Sequence, residues 1–347
     1  MKKLGRYFRV LIFLALGLLL LWWVTRGQDI DKIVLEFRNA NYFWIALAMV
    51  AGVLSHVARA QRWNILIHSM GYKVGLGNTF HAVMSGYLAN LVVPRLGEVS
   101  KCAVLSKSNG IPFNSLAGTM IAERFIDMIT LVLLMFFTIV FQFSFLKNFL
   151  YNFFFRSLIS KGTSGLLIFF VAASLFLLAI LFLAWWLRKK LRDAEPDTIA
   201  YKLKRQLHGF FNGIKTLWRM RSKAWFVFYS LLIWTLYFLT AYLGFFAIGA
   251  TSHLSPLAGL TLLAVGSLGI LAPVPGGIGT YHFITIATLT QLYAIAPEPA
   301  TSYAYISHAL QMVVIIGTSG LLWVWFSFVN KPKLQIQEAK QKPAEQP

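Results

Sequence analysis

Residues 225–297 read WFVFYSLLIWTLYFLTAYLGFFAIGATSHLSPLAGLTLLAVGSLGILAPVPGGIGTYHFITIATLTQLYAIAP, without a single Asp, Glu, Lys or Arg. A membrane-spanning helix takes about 20 mostly apolar residues. This stretch is therefore too long for one crossing and has to fold back on itself. Its turning point is Pro273, Pro275, Gly276, Gly277 and Gly279: proline stops a helix, and glycine admits a tight reversal. A second uncharged run covers 129–146. Over the whole chain 58% of residues are apolar and 13% charged, against about 25% charged in soluble domains. The reading is an all-α, polytopic membrane protein.

Working outward, six segments are long enough to span: about 8–25, 42–60, 112–141, 164–187, 224–249 and 300–329. Two more apolar stretches are interrupted, 76–93 by Pro94 and 256–295 by its Pro/Gly cluster. Residues 1–25 carry Lys2, Lys3, Arg6 and Arg9 ahead of an apolar run but no small-residue cleavage pattern, so they read as an uncleaved first helix.

The net charge of +20 does not point to nucleic acid, because no polar domain exists to gather it into a basic surface. The positive residues sit in short segments between apolar runs, which orients the chain by the positive-inside rule. The N-terminus, the connection 188–223 with eleven Lys/Arg against three acids, and the tail with Lys331, Lys333, Lys340 and Lys342 are expected in the cytoplasm. Residues 26–38, 142–163, 250–255 and 295–299 are expected outside. Parity then requires 76–99 to dip in from the cytoplasm and return. Segment 256–295 is either a matching hairpin from outside or two short crossings. The expected architecture is about six full transmembrane helices plus two broken or re-entrant hairpins, eight or so apparent membrane segments. Together they form an inverted repeat with halves 8–141 and 164–329 in one domain, 1–330. Residues 197–219 read either as an amphipathic helix on the cytoplasmic leaflet or as a basic loop. The tail 331–347 reads as disordered.

Charged groups inside a membrane are costly and mark function. Glu123 and Asp127, with Arg124 between them, share a helix face; Arg59 and Arg62 end the second spanning segment; Arg95 and Glu98 flank the turn of the first hairpin. Either these form a buried network of arginines with Glu98, Glu123 and Asp127, or they lie at the interface and reach water. The second half-helix of 256–295 starts with backbone N–H groups at membrane depth, either an anion site or a structural turn. His282, one turn in, is either a proton carrier or a hydrogen-bonding core residue. Cys102 is alone, so no intramolecular disulfide is expected, and no metal site, cofactor or P-loop is read. Asp29-Ile30-Asp31 is formally a D-x-D but short, so no catalytic residue is assigned and no enzyme is expected.

The ordered set Arg59-x-x-Arg62-Trp63, Asn90 to Pro94-Arg95-x-Gly97-Glu98, Glu123-Arg124-x-x-Asp127 and Pro275-Gly276-Gly277-Ile278-Gly279 resembles the lysylphosphatidylglycerol synthase transmembrane-domain family. That family is also described as flippase-like or UPF0104, and includes the membrane half of the multiple peptide resistance factor. The resemblance spans about residues 5–330. It implies a prokaryotic cytoplasmic membrane and a flippase-like role moving a phospholipid or lipid-linked precursor between leaflets. Arg59, Arg62 and Arg95 would bind the headgroup phosphate, and Pro273, Pro275, Gly276, Gly277, Gly279 and His282 would form the gate or anion site. Membrane lipids, anionic or lipid-linked, are the expected partners. The alternative is an accessory protein docking an envelope-pathway enzyme. The soluble synthase domain is expected to be absent. Where family members often carry an acid shortly after the P-G-G-I-G motif, this sequence has His282.

Overall fold

The computed structural model describes residues 2–142 and 222–329, Pro273 excepted, and the single residues Ser174 and Lys189; side chains are described from residue 14 onward. Apart from Ser174, the expected helix 164–187 lies outside the described residues, as do the segment 197–219 and the tail 331–347, so of the second half of the expected repeat the stretch 222–329 is described. The chain divides into two compact units, Met1–Met120 with Ser222–Pro347, and Ile121–Arg221.

The described residues are helical, with no strand among them. In order they form α1 (Lys2–Thr25), α2 (Ile30–Arg38), α3 (Tyr42–Ser69), α4 (Leu76–Val92), α5 (Leu96–Asn109), α6 (Phe113–Phe141), α7 (Lys223–Phe245), α8 (Pro256–Leu271), α9 (Thr280–Ala287) and α10 (Pro297–Val329). Four of these, α3, α6, α7 and α10, are long and apolar enough to cross a membrane. Their surface is turned inside out relative to a soluble protein. Val50, Leu231, Val313, Ile316 and Leu321 are exposed, whereas Arg59, Arg62, Lys101, His282 and His308 are buried. A bilayer solvates apolar side chains and penalises charge and unpaired backbone, so only a membrane makes this distribution favourable. The protein is an integral, multi-pass membrane protein.

Local chemistry sets the element ends. Asp29 caps α2, its carboxylate accepting from the Asp31 and Lys32 N–H groups. The Asp29-x-Asp31 pattern thus has a structural use, and the segment 26–38 contains a short helix. Asn41 accepts from the Phe43 N–H at the start of α3. Ser255 followed by Pro256 opens α8, its hydroxyl accepting from the Ala258 N–H, the arrangement favoured at a helix N-terminus.

Helix α3 has 28 residues, about 42 Å at 1.5 Å per residue. It runs past the expected end at 60, so Arg59 and Arg62 lie inside the helix and not at its terminus. The charges that lowered the hydropathy of 59–64 are buried by neighbouring helices: α7 packs along α3, with Ala51, Ala58, Ile233 and Leu236 forming a small apolar core between them.

Both interrupted stretches are hairpins. In the first, α4 and α5 pack against each other around Val93, Pro94 and Arg95. Arg95 takes a left-handed conformation, φ 66°, uncommon for a residue with a Cβ, and this reverses the chain. Gly86 and Gly97 meet across the hairpin: a Cβ on Gly86 would lie 2.8 Å from the Gly97 carbonyl oxygen. In the second, α8 folds onto α9 through a tight turn at Pro275–Gly277. A Cβ on Gly269 would stand 3.0 Å from the Tyr281 Cα, so only glycine allows this approach. α9 then widens into one π-helical turn, Thr288–Leu292. The second turn meets the end of α4, since the position of a Cβ on Gly276 is 3.4 Å from Leu91 Cδ2. α1 closes against the second turn, where Gly17 abuts the Ile278 carbonyl and Gly279.

In the second unit, α6 from Ile121 onward presents Val132, Leu133, Phe136, Phe137 and Val140 on exposed positions, the apolar surface expected of a lipid-facing helix.

Candidate functional site

Two polar clusters of the first unit are built into the apolar frame. The first lies along α3. The Arg59 Nε–H donates to the Tyr237 hydroxyl at 3.2 Å, and its guanidinium carbon stands 5.8 Å from the centre of that ring. The Tyr237 and Tyr87 hydroxyls are 3.5 Å apart, and the His56 ring lies 4.5 Å from the Tyr87 ring. One turn on, Arg62 is fully buried, donating to Ser230 Oγ at 3.3 Å and lying over Phe226. Next to it, Trp63 donates its indole N–H to Thr119 at 2.9 Å and receives the Lys101 ammonium over its ring at 4.3 Å. Asn64 accepts from the Thr79 hydroxyl. Three cations, Arg59, Arg62 and Lys101, are therefore buried on α3 and α5, with hydroxyls beside the two arginines and an aromatic face against each of the three among their contacts. A guanidinium over a ring keeps its charge in a low-dielectric setting, which suits recognition of an anionic group.

The second cluster is the turn of the second hairpin. The glycines Gly276, Gly277 and Gly279 all have positive φ, between 60° and 82°. The Gly279 N–H donates to His282 Nδ1 at 3.4 Å, so the half-helix does not begin with all its N–H groups free, as its sequence suggested. His308 of α10 places Nε2 2.8 Å from the Gly276 carbonyl oxygen. The two imidazoles are 4.6 Å apart between centroids. The Tyr281 and Ser307 hydroxyls are 3.0 Å apart, and Tyr305 packs 4.8 Å from His282. The first turn is secured in a parallel way, with the Gly97 N–H donating to Asn90 Oδ1 at 2.6 Å. In each hairpin, one side chain satisfies a backbone donor where the helix restarts.

The residues singled out from sequence separate as follows. Arg59 and Arg62 stand together in the α3 cluster. Arg95 is exposed at the first turn, and Glu98 lies in the first turn of α5. Glu123, Arg124 and Asp127 belong to α6 in the second unit, where Glu123 and Asp127 share a face one turn apart. Pro275, Gly276, Gly277, Gly279 and His282 form the second turn; Pro273 lies outside the described residues. Sequence reasoning missed Lys101, which looked like a loop cation, and it missed Ser230, Tyr237 and Tyr87. It also missed His308, isolated in an apolar helix; its one signal was being an ionisable residue deep in such a helix.

A family model described as the lysylphosphatidylglycerol synthase TM region matches residues 10–317. The chain belongs to that family. The match takes in α3, both hairpins and the His308 region, so every residue named in the two clusters lies within it. Among its relatives is a UPF0104 membrane protein of Pyrococcus horikoshii, 25% identical over 306 residues, covering 83% of this chain and 86% of the relative. A UPF0104 membrane protein of Methanocaldococcus jannaschii is 29% identical over 119 residues, 33% of this chain and 35% of the relative. The protein named glycosyltransferase AglD of Haloferax volcanii is 24% identical over 345 residues, 92% of this chain. The match spans 54% of AglD's length, so about half of that relative lies outside it. No solved structure matches the chain.

Proposed function

We propose that this protein is a flippase-like transporter, without enzymatic activity of its own, that moves a phospholipid or a lipid-linked precursor between leaflets. The observation that carries the reading is the meeting of two broken hairpins, Leu91 against Gly276, in a unit whose α3 and α5 bury three cations. A helix interrupted at membrane depth is tolerated where its break is buried in protein or lines a polar path. Paired broken elements beside buried charge are the arrangement by which transporters hold a substrate between two sides. In this reading Arg95, exposed at the first turn, meets the headgroup phosphate, and Arg59 and Arg62 bind it in the interior. Residues 273–279 with His282 form the opposite gate. The setting is the cytoplasmic membrane of a prokaryote, with both termini in the cytoplasm.

The test is reconstitution into liposomes carrying fluorescent phosphatidylglycerol, its lysyl ester, phosphatidylethanolamine or a polyprenyl phosphate in turn. A dithionite-accessible fraction rising above one half for at least one lipid, with Arg62→Ala slowing the rise about tenfold, is the expected result. Folded protein that leaves every one of these lipids on its own side counts against transport.

The likeness to a relative named as a glycosyltransferase favours one other reading, an accessory membrane protein that docks an enzyme of a lipid-sugar pathway. Stable co-purification with a glycosyltransferase, unaffected by Arg59 or Arg62 substitution, is the result that reading predicts.

A further inference from the structure

The His282–His308 pair has a protonation pattern that its partners determine. The Gly276 carbonyl can only accept, so His308 Nε2, 2.8 Å away, carries a hydrogen, and in the neutral ring its Nδ1 is the bare nitrogen. The Gly279 N–H can only donate, so His282 Nδ1 is bare and its Nε2 carries the hydrogen. The two bare nitrogens are not equivalent. A proton from solvent that binds His308 Nδ1 breaks no bond in the chain, and it turns the His308–Gly276 bond into a charge-assisted one. A proton that binds His282 Nδ1 sets donor against donor and expels the Gly279 N–H, which caps α9. Two imidazolium rings with centroids 4.6 Å apart repel strongly in a low-dielectric interior, so the pair holds at most one proton.

The described surroundings offer no counter-charge to either ring. From α9 the neighbours are Tyr281, whose ring is 5.5 Å from His308, and His282 itself. From α10 they are Ser307 and Tyr305, and from the turn, the Gly276 carbonyl. Among the described residues no Asp, Glu, Lys or Arg bonds or pairs with either ring. Both rings are buried, and the carbonyl held by His308 belongs to Gly276, the residue that faces Leu91 of the first hairpin.

We propose that His282 and His308 form a one-proton site, empty when the second turn is closed and filled at His308 Nδ1 when it opens, and that its occupancy sets whether the second turn stays in contact with the end of α4. The ligand is H⁺ itself. A charge in the buried turn with no anion beside it is costly, so the filled site draws in water and parts the turn from Leu91, and loss of the proton lets the contact form again. The site stands on its own geometry, whereas its use to drive lipid movement rests on the function proposed above.

The experiment places a bimane fluorophore on Leu91→Cys in a Cys102→Ser background, in lipid nanodiscs, and follows its emission maximum from pH 4.5 to 8. The expected result is a single-proton transition that His308→Gln abolishes, since glutamine still donates to Gly276 but binds no proton. His282→Gln, the second variant should His308→Gln not purify as a monodisperse protein, is expected to abolish or displace the transition. No transition in the parent, or the same transition in either variant, overturns the proposal. Lipid movement in proteoliposomes separates the two readings. A transition without movement of any lipid tested leaves the proton site standing and removes the lipid function. Lipid movement in a parent that shows no bimane transition removes the proton site and leaves the lipid function.

Discussion

Trp63 does two jobs with one side chain. Its indole N–H donates to Thr119, and its face carries the Lys101 ammonium. Trp63→Phe keeps a face for the cation and loses the hydrogen bond, so a loss of about 1 kcal/mol is expected, the net worth of a typical bond. Asn90→Ala strands the Gly97 N–H and should cost about 1–3 kcal/mol, the penalty of an unmet backbone donor. Arg62→Ala empties a fully buried volume and should cost about 3 kcal/mol. Thermal unfolding in one detergent checks all three, and the order Arg62 above Trp63 is the discriminating outcome. At this scale the sequence was partly legible. Arg59, Arg62 and His282 stood out because ionisable groups in apolar helices are rare. Their partners did not, because a serine, a tyrosine or a second histidine on another helix has no local mark. Ser230 and Tyr237 matter to Arg62 and Arg59 only through the packing of α7 on α3, more than 160 positions along the chain.

The hairpins depend on glycine for closeness as much as for flexibility. A Cβ on Gly97 would meet the Asn90 amide nitrogen at 2.5 Å as well as the Gly86 carbonyl oxygen, so Gly97→Ala has to push α4 and α5 apart. Gly317, exposed on α10, has nothing within 4 Å of its added Cβ. Gly317→Ala should stabilise by about 0.5–1 kcal/mol through helix propensity, whereas Gly97→Ala should destabilise by about 2 kcal/mol or more. Melting temperatures that move in opposite directions are the expected outcome; a fall in both would mean that α10 carries an additional contact at Gly317. The breaks themselves were readable, since Pro94 and the Pro/Gly run near 275 interrupt long apolar stretches. The end of α3 was not. Hydropathy treats Arg59, Arg62 and Asn64 as a departure from the membrane, but hydrogen bonds from α4 and α7 let the helix continue to Ser69. α2 was missed because its nine residues mix apolar and charged positions too evenly for a hydropathy window to register.

For the molecule as a whole, single cysteines at Ser106, Ser157, Ser222 and Ser252, in a chain lacking Cys102, test orientation. Labelling from outside only at 157 and 252 is the outcome expected if the α4–α5 hairpin enters and leaves on the cytoplasmic side. Labelling at 106 from outside would make that hairpin a full crossing and end the inverted repeat. The overall class needed no more than composition, because a bilayer demands long apolar helices. How the parts meet was beyond sequence. The contact of Gly17 with Gly279 joins positions 262 residues apart, and this separation bears on how the protein is made. At about 5–20 residues per second, α1 leaves the ribosome tens of seconds before its counterpart exists. Until then the notch at Gly17 faces lipid or the insertion machinery, and the second hairpin is among the last pieces to find its seat. The polar turn at Gly276–Gly279 thus depends for its cover on the earliest helix, and a bulky substitution at Gly17 should act as a defect of assembly, leaving that turn open to quality-control proteases in newly made protein.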